Sequence, residues 1–276
     1  MIRAVIRGLA ISLLIAGFSI QAKAGDGPCL TPDGLLDLGA RLPRVEKRVA
    51  QGQPVVIVAI GSSSTAGAGA SRDGATYPAR LAAYWPSFFP ASPVTVINRG
   101  VGGEDAREMI ARFERDVEAS GADLILWQLG VNAVLRQSGV ADQKSLIADG
   151  IARLKTQGSD VVLIDLQFAP KVVADPDHQA MQRMLKDAAS EAGVGLFQRF
   201  SIMRYWRASG QISPPAMISA DGLHLTDHSY DCWAGALAAA LARSVPSQPV
   251  AGLGAGPIAG PVVGVAAARL QARRSP

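Results

Sequence analysis

The sequence predicts an α/β domain built on a doubly wound parallel sheet. Two observations carry this. Four short runs, VVIVAI (55–60), VTVIN (94–98), LILWQL (124–129) and VVLIDL (161–166), are continuously apolar and rich in branched residues. Continuous rather than alternating apolarity marks strands covered on both faces, as in a parallel sheet. Between the runs lie stretches with helical periodicity, and strands alternating with helices of this size define the doubly wound class. A fifth, shorter strand is expected at VGLF (194–197).

The helical stretches follow in order. EDAREMIARFERDVEAS (104–120) puts Ala106, Met109, Ile110, Phe113 and Val117 on one side, at spacings of three and four. QKSLIADGIARLKTQG (143–158) and HQAMQRMLKDAASEAG (178–193) repeat the pattern, each closing on a glycine suited to a helix C-terminus. A last helix is expected from TDHSYDCWAGALAAALARSV (226–245), with Thr226 or Asp227 as its cap.

The two ends differ in kind from this middle. Arg3 and Arg7 precede or flank the apolar GLAISLLIAGFSI, which leads into QAKAG. A basic start, an apolar stretch and an Ala-x-Ala site read as an export signal cut after Ala24. The apolar stretch is shorter than the ~20 residues a membrane span requires, so no stable membrane anchor is expected. The expected location is the periplasm or beyond. Removing residues 1–24 takes away Arg3, Arg7 and Lys23 and lowers the net charge from +4 to +1, with 24 basic residues against 23 acidic ones. That balance offers no footprint for nucleic acid. From 246 to 276 the chain is dense in Pro, Gly and Ala without sustained period and reads as a flexible tail. One domain is therefore expected over residues 25–245.

Cys29 and Cys232 are the only cysteines. In an oxidising compartment they could staple the terminal segments together, the alternative being two unpaired buried thiols. With no CxxC and no His/Cys cluster along the chain, no structural zinc is expected.

Ligands of an open parallel sheet bind where its strands end. The exits of the four main strands read GSSSTAG, NRGVGGED, QLGVNAV and QFAPKV, and SADGLHLTD precedes the last helix. A serine hydroxyl becomes a useful nucleophile when a base takes its proton and a third group orients that base. Asp221 and His224 can supply those two groups from a single loop. The neighbouring glycines and asparagine can supply donors for an oxyanion, the dominant element of acyl-transfer catalysis.

These blocks resemble those of the SGNH hydrolases, the GDSL-type esterase and lipase superfamily. The resemblance spans about residues 54–230 in the family's order. Gly61-Ser62-Ser63 matches the first block, Gly103 the glycine of the second, Gly130-Val131-Asn132-Ala133 the third and Asp221-Gly222-Leu223-His224 the last. It implies a flavodoxin-like three-layer α/β/α fold with strand order 2-1-3-4-5, and ester hydrolysis without metal or other cofactor. Ser63 would be the nucleophile, His224 the proton shuttle and Asp221 its orienting group. The Ser63 and Gly103 N–H groups and the Asn132 amide would form the oxyanion hole. Ser62 stands where the family usually carries Asp in the first block, and Ala133 where it carries Asp after Asn132. Both departures suggest a different hydrogen-bond scaffold beneath the site.

The implied substrate is an acyl ester, with an O-acetyl group on a polysaccharide as the expected case. A lipid-directed esterase, lysophospholipase or thioesterase is the alternative within the class, and an acyltransferase would use the same acyl-serine. A non-catalytic carbohydrate-binding module on this fold is the alternative outside it. GSSSTAGAGA lacks both the dinucleotide and the phosphate-loop spacing, so no nucleotide cofactor is expected. Other residues carry simpler expectations. Ser64 and Thr65 would satisfy helix-start N–H groups, His178 would be solvated on a helix start, and His228 would lie at the surface or cap. Gly100 and Gly102 are alternatives to Gly103. Arg99 and Arg136 could meet an acidic substrate or simply be solvated. Gln128, Gln167 and Trp127 could line a pocket or belong to the core.

Overall fold

A computed structural model describes residues 29–245. The segments expected to be an export signal (1–24) and a tail (246–276) lie outside the described residues. Within them, the chain runs α1 (Pro43–Ala50), β1 (Val55–Gly61), α2 (Ser63–Ala66), α3 (Tyr77–Phe88), β2 (Val94–Gly100), α4 (Ala106–Ala111), α5 (Phe113–Asp116), β3 (Leu124–Gln128), α6 (Val131–Leu135) and α7 (Val140–Thr156). It continues with β4 (Asp160–Ile164), α8 (Pro170–Val173), α9 (His178–Ala192), β5 (Gly195–Phe197), α10 (Arg199–Ala208), α11 (Pro214–Met217) and α12 (Asp227–Arg243).

All five strands are parallel, in the order β2-β1-β3-β4-β5. Continuous apolarity was the right guide: every residue of β3 and β4 is buried. The edge strand β2 is only partly covered. Helices α3 and α12 pack together in one outer layer, while α7 packs with α4 and α9. Gly150 permits α7 to lie close to the sheet, since a Cβ there would fall 2.4 Å from the Trp127 ring. Trp127 is wholly buried, edge-on to Phe113 at 5.2 Å, so it belongs to the core rather than to a pocket.

At the end of the sheet where the strands begin, Asp123 gathers Arg44 Nε (2.8 Å), Arg48 Nε (2.9 Å) and the Val56 N–H (3.0 Å). Val45 N–H donates to Asp160 at 2.9 Å, which seats α1 on the same end. Cys29 and Cys232 are joined as a disulfide. His228 Nε2 lies 3.9 Å from the Cys29 sulfur and 3.7 Å from that of Cys232. Sequence spacing did not reveal this cluster. His228, expected at the surface or as a cap, is half-buried in the first turn of α12, where the i, i+4 spacing points it the same way as Cys232.

The stretch 104–120 is not one helix. It breaks at Arg112 into α4, α5 and a single 3-10 turn over Glu118–Ser120. The cause is Arg112, only 8% exposed, which reaches inward to Glu104 Oε2 and Asp116 Oδ2, both at 2.7 Å, and to the Gly61 carbonyl at 3.3 Å. For α12, Thr226 is the cap; its hydroxyl accepts from Ser229 N–H at 3.2 Å.

Candidate active site

Every feature of the nucleophile turn follows from crowding at the ends of β1 and β2. Gly61 closes β1 because a Cβ there would lie 2.2 Å from Thr65 Oγ1 and 2.9 Å from Gln128 Cβ. Ser62 then sits extended, and Ser63 opens α2. Gly100 lets the end of β2 pass against that helix, since its Cβ would fall 2.0 Å from Ala66 N. The Val101 N–H donates to the Gly61 carbonyl at 2.9 Å and ties the second exit loop to the first.

The last loop is built around one carboxylate. Asp221 Oδ1 accepts from Ser219 Oγ (2.7 Å), Leu223 N–H (2.9 Å) and His224 N–H (2.9 Å), while Oδ2 meets His224 Nδ1 at 2.5 Å. Burial works to raise the Asp221 pKa, but these hydrogen bonds outweigh it and hold the carboxyl well below the usual carboxylate range. It is therefore ionised at neutral pH. The other ring nitrogen, His224 Nε2, lies 2.8 Å from Ser63 Oγ across 161 residues of sequence. With Asp221 accepting at Nδ1, Nε2 is left as the acceptor facing the Ser63 hydroxyl.

What brings the two loops together is the chain after α2. A Cβ on Gly69 would lie 2.4 Å from the Leu225 carbonyl, so only glycine allows this approach. Tyr230 Oη donates to the Ala68 carbonyl at 2.8 Å, Ser71 N–H donates to Asp227 Oδ1 at 2.7 Å, and the Ser71 hydroxyl donates to Asp227 Oδ2.

The remaining residues predicted for the site lie on the segments that follow β2 and β3. A Cβ placed on Gly102 would sit 3.9 Å from Ser63 Cβ. Gly103 has φ +84°, and its carbonyl accepts from Arg136 Nη2 at 2.5 Å. Among the described residues, neither the Ser63 nor the Gly103 N–H has a protein acceptor. Asn132 Nδ2 donates to the Glu104 carbonyl at 2.8 Å, which leaves its second amide hydrogen for another acceptor. Gly130 opens α6 at φ +95°, with Leu166, Met181 and Leu185 filling the space a side chain would need. Donors, base and hydroxyl in this arrangement can take up a carbonyl carbon and hold its oxygen as it becomes negative.

The two departures from the family pattern have physical explanations. Ala133 is 3% exposed and packs in the core, so an acid there would be buried. Ser62 is 3% exposed, and both its N–H (3.0 Å) and its hydroxyl (3.1 Å) donate to Gln128 Oε1. An aspartate at Ser62 would set an acceptor against that acceptor.

Some expectations are corrected here, and readings left open in sequence are decided. Thr65 does not cap a helix; its hydroxyl donates to Gln128 Oε1 at 3.2 Å and lies 3.4 Å from Tyr77 Oη. Ser62, not Ser64 or Thr65, holds the N-cap position, and its side chain makes no cap bond. His178 is half-buried, with Nδ1 2.7 Å from the Asp175 carbonyl and its ring stacked over Phe200. Gln128 and Gln167 are at most 1% exposed and lie beneath the site rather than in its wall. Arg136 is neutralised by Glu108 (3.2 Å) and Asp105 (3.8 Å). Arg99 is exposed on β2. Sequence reasoning missed Arg112 and Ser219 altogether.

The sheet order and the Asp221–His224–Ser63 arrangement are those that the resemblance to SGNH hydrolases implies. The chain belongs to the Non-GDSL lipase-like family, whose model matches residues 28–247. It is similar to an arylesterase of Vibrio mimicus, 29% identical over 92 residues, which cover 31% of this chain and 46% of that protein. The match thus spans about half the length of that curated relative. Among solved structures it resembles CEX, a two-domain esterase active on acetylated mannans, co-crystallised with mannopentaose (TM-score 0.61, 21% identity, 81% of this chain and 57% of that one). It also resembles Axe2, an acetylxylan esterase from Geobacillus stearothermophilus (TM-score 0.55, 20% identity, 70% and 95%). A third is TesA (TM-score 0.58, 19% identity, 68% and 99%). At these identities the likeness to solved structures is one of fold.

Proposed function

We propose that the protein is a serine esterase that removes small acyl groups, foremost O-acetyl, from a polysaccharide outside the cytoplasm. The observation that carries the chemistry is the continuous hydrogen-bonded chain Ser63–His224–Asp221. Ser63 Oγ attacks the ester carbonyl as His224 Nε2 takes its proton, and Asp221 steadies the imidazolium that forms. The Ser63 and Gly103 N–H groups and the Asn132 amide hold the oxyanion; loss of one such donor costs about 3–4 kcal/mol of transition-state stabilisation. His224 returns the proton to the departing sugar oxygen, leaving acyl-Ser63. Water then attacks by the same steps in reverse, releasing the acid and restoring the hydroxyl.

The substrate class rests on different support. The Asp221 side chain is 44% exposed, so the site opens at the surface where a polymer chain can lie. The esterases CEX and Axe2, similar in fold, act on acetylated mannans and acetylxylan respectively. An export signal, as residues 1–24 read in sequence, and the disulfide both suit an oxidising compartment.

A panel of nitrophenyl esters from acetate to long acyl chains, together with acetylated xylan and mannan, tests this with wild type and Ser63→Ala. Acetate release from sugars and an inactive Ser63→Ala are expected. Equal rates for the two proteins would remove Ser63 from the mechanism, and a long-chain preference would replace the polysaccharide substrate with a lipid. Silence on every ester would leave a binding module.

A further inference from the structure

We propose that Gln128 and Gln167 are positioning residues, one beneath each half of the Ser63–His224 pair, which together set the distance between hydroxyl and imidazole. Gln128 is the last residue of β3 and is wholly buried. Its amide oxygen accepts three donors from the nucleophile turn: Ser62 N–H at 3.0 Å, Ser62 Oγ at 3.1 Å and Thr65 Oγ1 at 3.2 Å. A backbone N–H can only donate, so the oxygen end of the Gln128 amide must face the turn. The Nε2 end is buried with no partner among the described residues. Such an orphan is costly, so the residue is held there by what its oxygen does.

Gln167 works with the opposite polarity. It lies three residues past β4, and its Nε2 donates to the Leu223 carbonyl at 3.3 Å, between Asp221 and His224. Leu223 C=O can only accept, so here the nitrogen end faces the catalytic loop. Gln167 Oε1 is pinned by Arg199 Nη2 at 2.8 Å. Arg199 is itself wholly buried, donates to the Asp165 carbonyl at 3.0 Å and lies over the Trp233 ring. The last loop is thus braced against a fixed cation in the interior, and the nucleophile turn against the end of the central strand. Neither glutamine reaches Ser63 or His224, so both act through the backbone that carries them.

One substitution made at both sites separates the two roles, because each glutamine uses a different end of its amide. Glutamate keeps the acceptor at Gln128 and removes the donor at Gln167. With 4-nitrophenyl acetate, Gln128→Glu is expected to keep kcat within about threefold, whereas Gln128→Met lowers kcat about tenfold or more at little changed KM. Gln167→Glu is expected to lower kcat about tenfold or more at unchanged KM. Its melting temperature is held, since a carboxylate strengthens the Arg199 contact. A purely structural role would move the melting temperature and leave kcat of the folded fraction alone. Gln167→Glu with wild-type kcat, or Gln128→Glu as damaged as Gln128→Met, overturns the assignment. The proposal rests on the esterase reading, yet fails separately from it: wild-type turnover lost in Ser63→Ala tests the esterase, and these variants test the braces.

Discussion

At Gly100 a single methyl group would collide with the backbone of the nucleophile helix, whereas at Gly102 it would meet only Ser63 Cβ at contact distance. Gly100→Ala should therefore unfold at lower temperature and lose most activity, while Gly102→Ala should melt like wild type; thermal unfolding of the two proteins checks this. A second expectation concerns Asp221. Asparagine there would present an amide to the Leu223 and His224 N–H groups that now donate to a carboxylate. Asp221→Asn should lower kcat by about 10⁴-fold through the wrong imidazole tautomer, measurable on the acetate ester. The residues proposed to carry the chemistry were the easiest to find in the sequence. Asp221 and His224 stood out by their spacing on one loop, and Ser63 was chosen among three serines by the resemblance. Gln128 and Thr65 were harder, because their function depends on which atom of a buried side chain faces which neighbour.

Helices and loops were legible where an apolar stripe alone determines them. The stretches at 143–158 and 178–193 became α7 and α9 with glycine just past their ends. The 104–120 stretch misled because a stripe says nothing about a charge turned inward, and Arg112 turned inward. Helix α3, with Pro78 at its start and Pro86 inside, carries the wrong punctuation for a helix and was not foreseen. It forms because Tyr77, Leu81 and Trp85 bury one face. Asp165, just past β4 and bonded to the first turn of α10, yields a prediction about pH. Burial raises the Asp165 carboxyl to about 7 from its ordinary 3.8, so the folded protein holds a proton there that the unfolded chain releases earlier. Folding takes up that proton between the two values, and this group's contribution to stability falls as pH rises through the window. Asparagine can still accept the Phe200 N–H that Asp165 Oδ1 accepts at 3.0 Å. Asp165→Asn should therefore lose less stability than wild type between pH 5 and pH 8, read from urea midpoints at about those two values.

For the molecule as a whole, strand order was the part the residues alone could not give. Apolar runs identify strands, but their lateral order came only through the resemblance, which the sheet then matched. The disulfide spans 203 residues, and constraining so long a loop is worth about 5 kcal/mol in the chain-entropy model. Reduction, or Cys232→Ser, should lower unfolding stability by about 2–5 kcal/mol, measurable by denaturant titration with and without a thiol. That bridge is one of several links between the first and last described segments. Leu42 N–H donates to the Ser244 carbonyl at 3.3 Å, and Arg243 Nη2 pairs with Asp33. Residues near 33 and 244 are therefore neighbours, and the order in which the chain is threaded through the domain is open to change. A circular permutant that joins these segments through a short linker, with new ends at the exposed Gly158 turn before β4, should fold and hydrolyse 4-nitrophenyl acetate as the parent does. The cut falls where strands begin, at the far end of the sheet from Ser63.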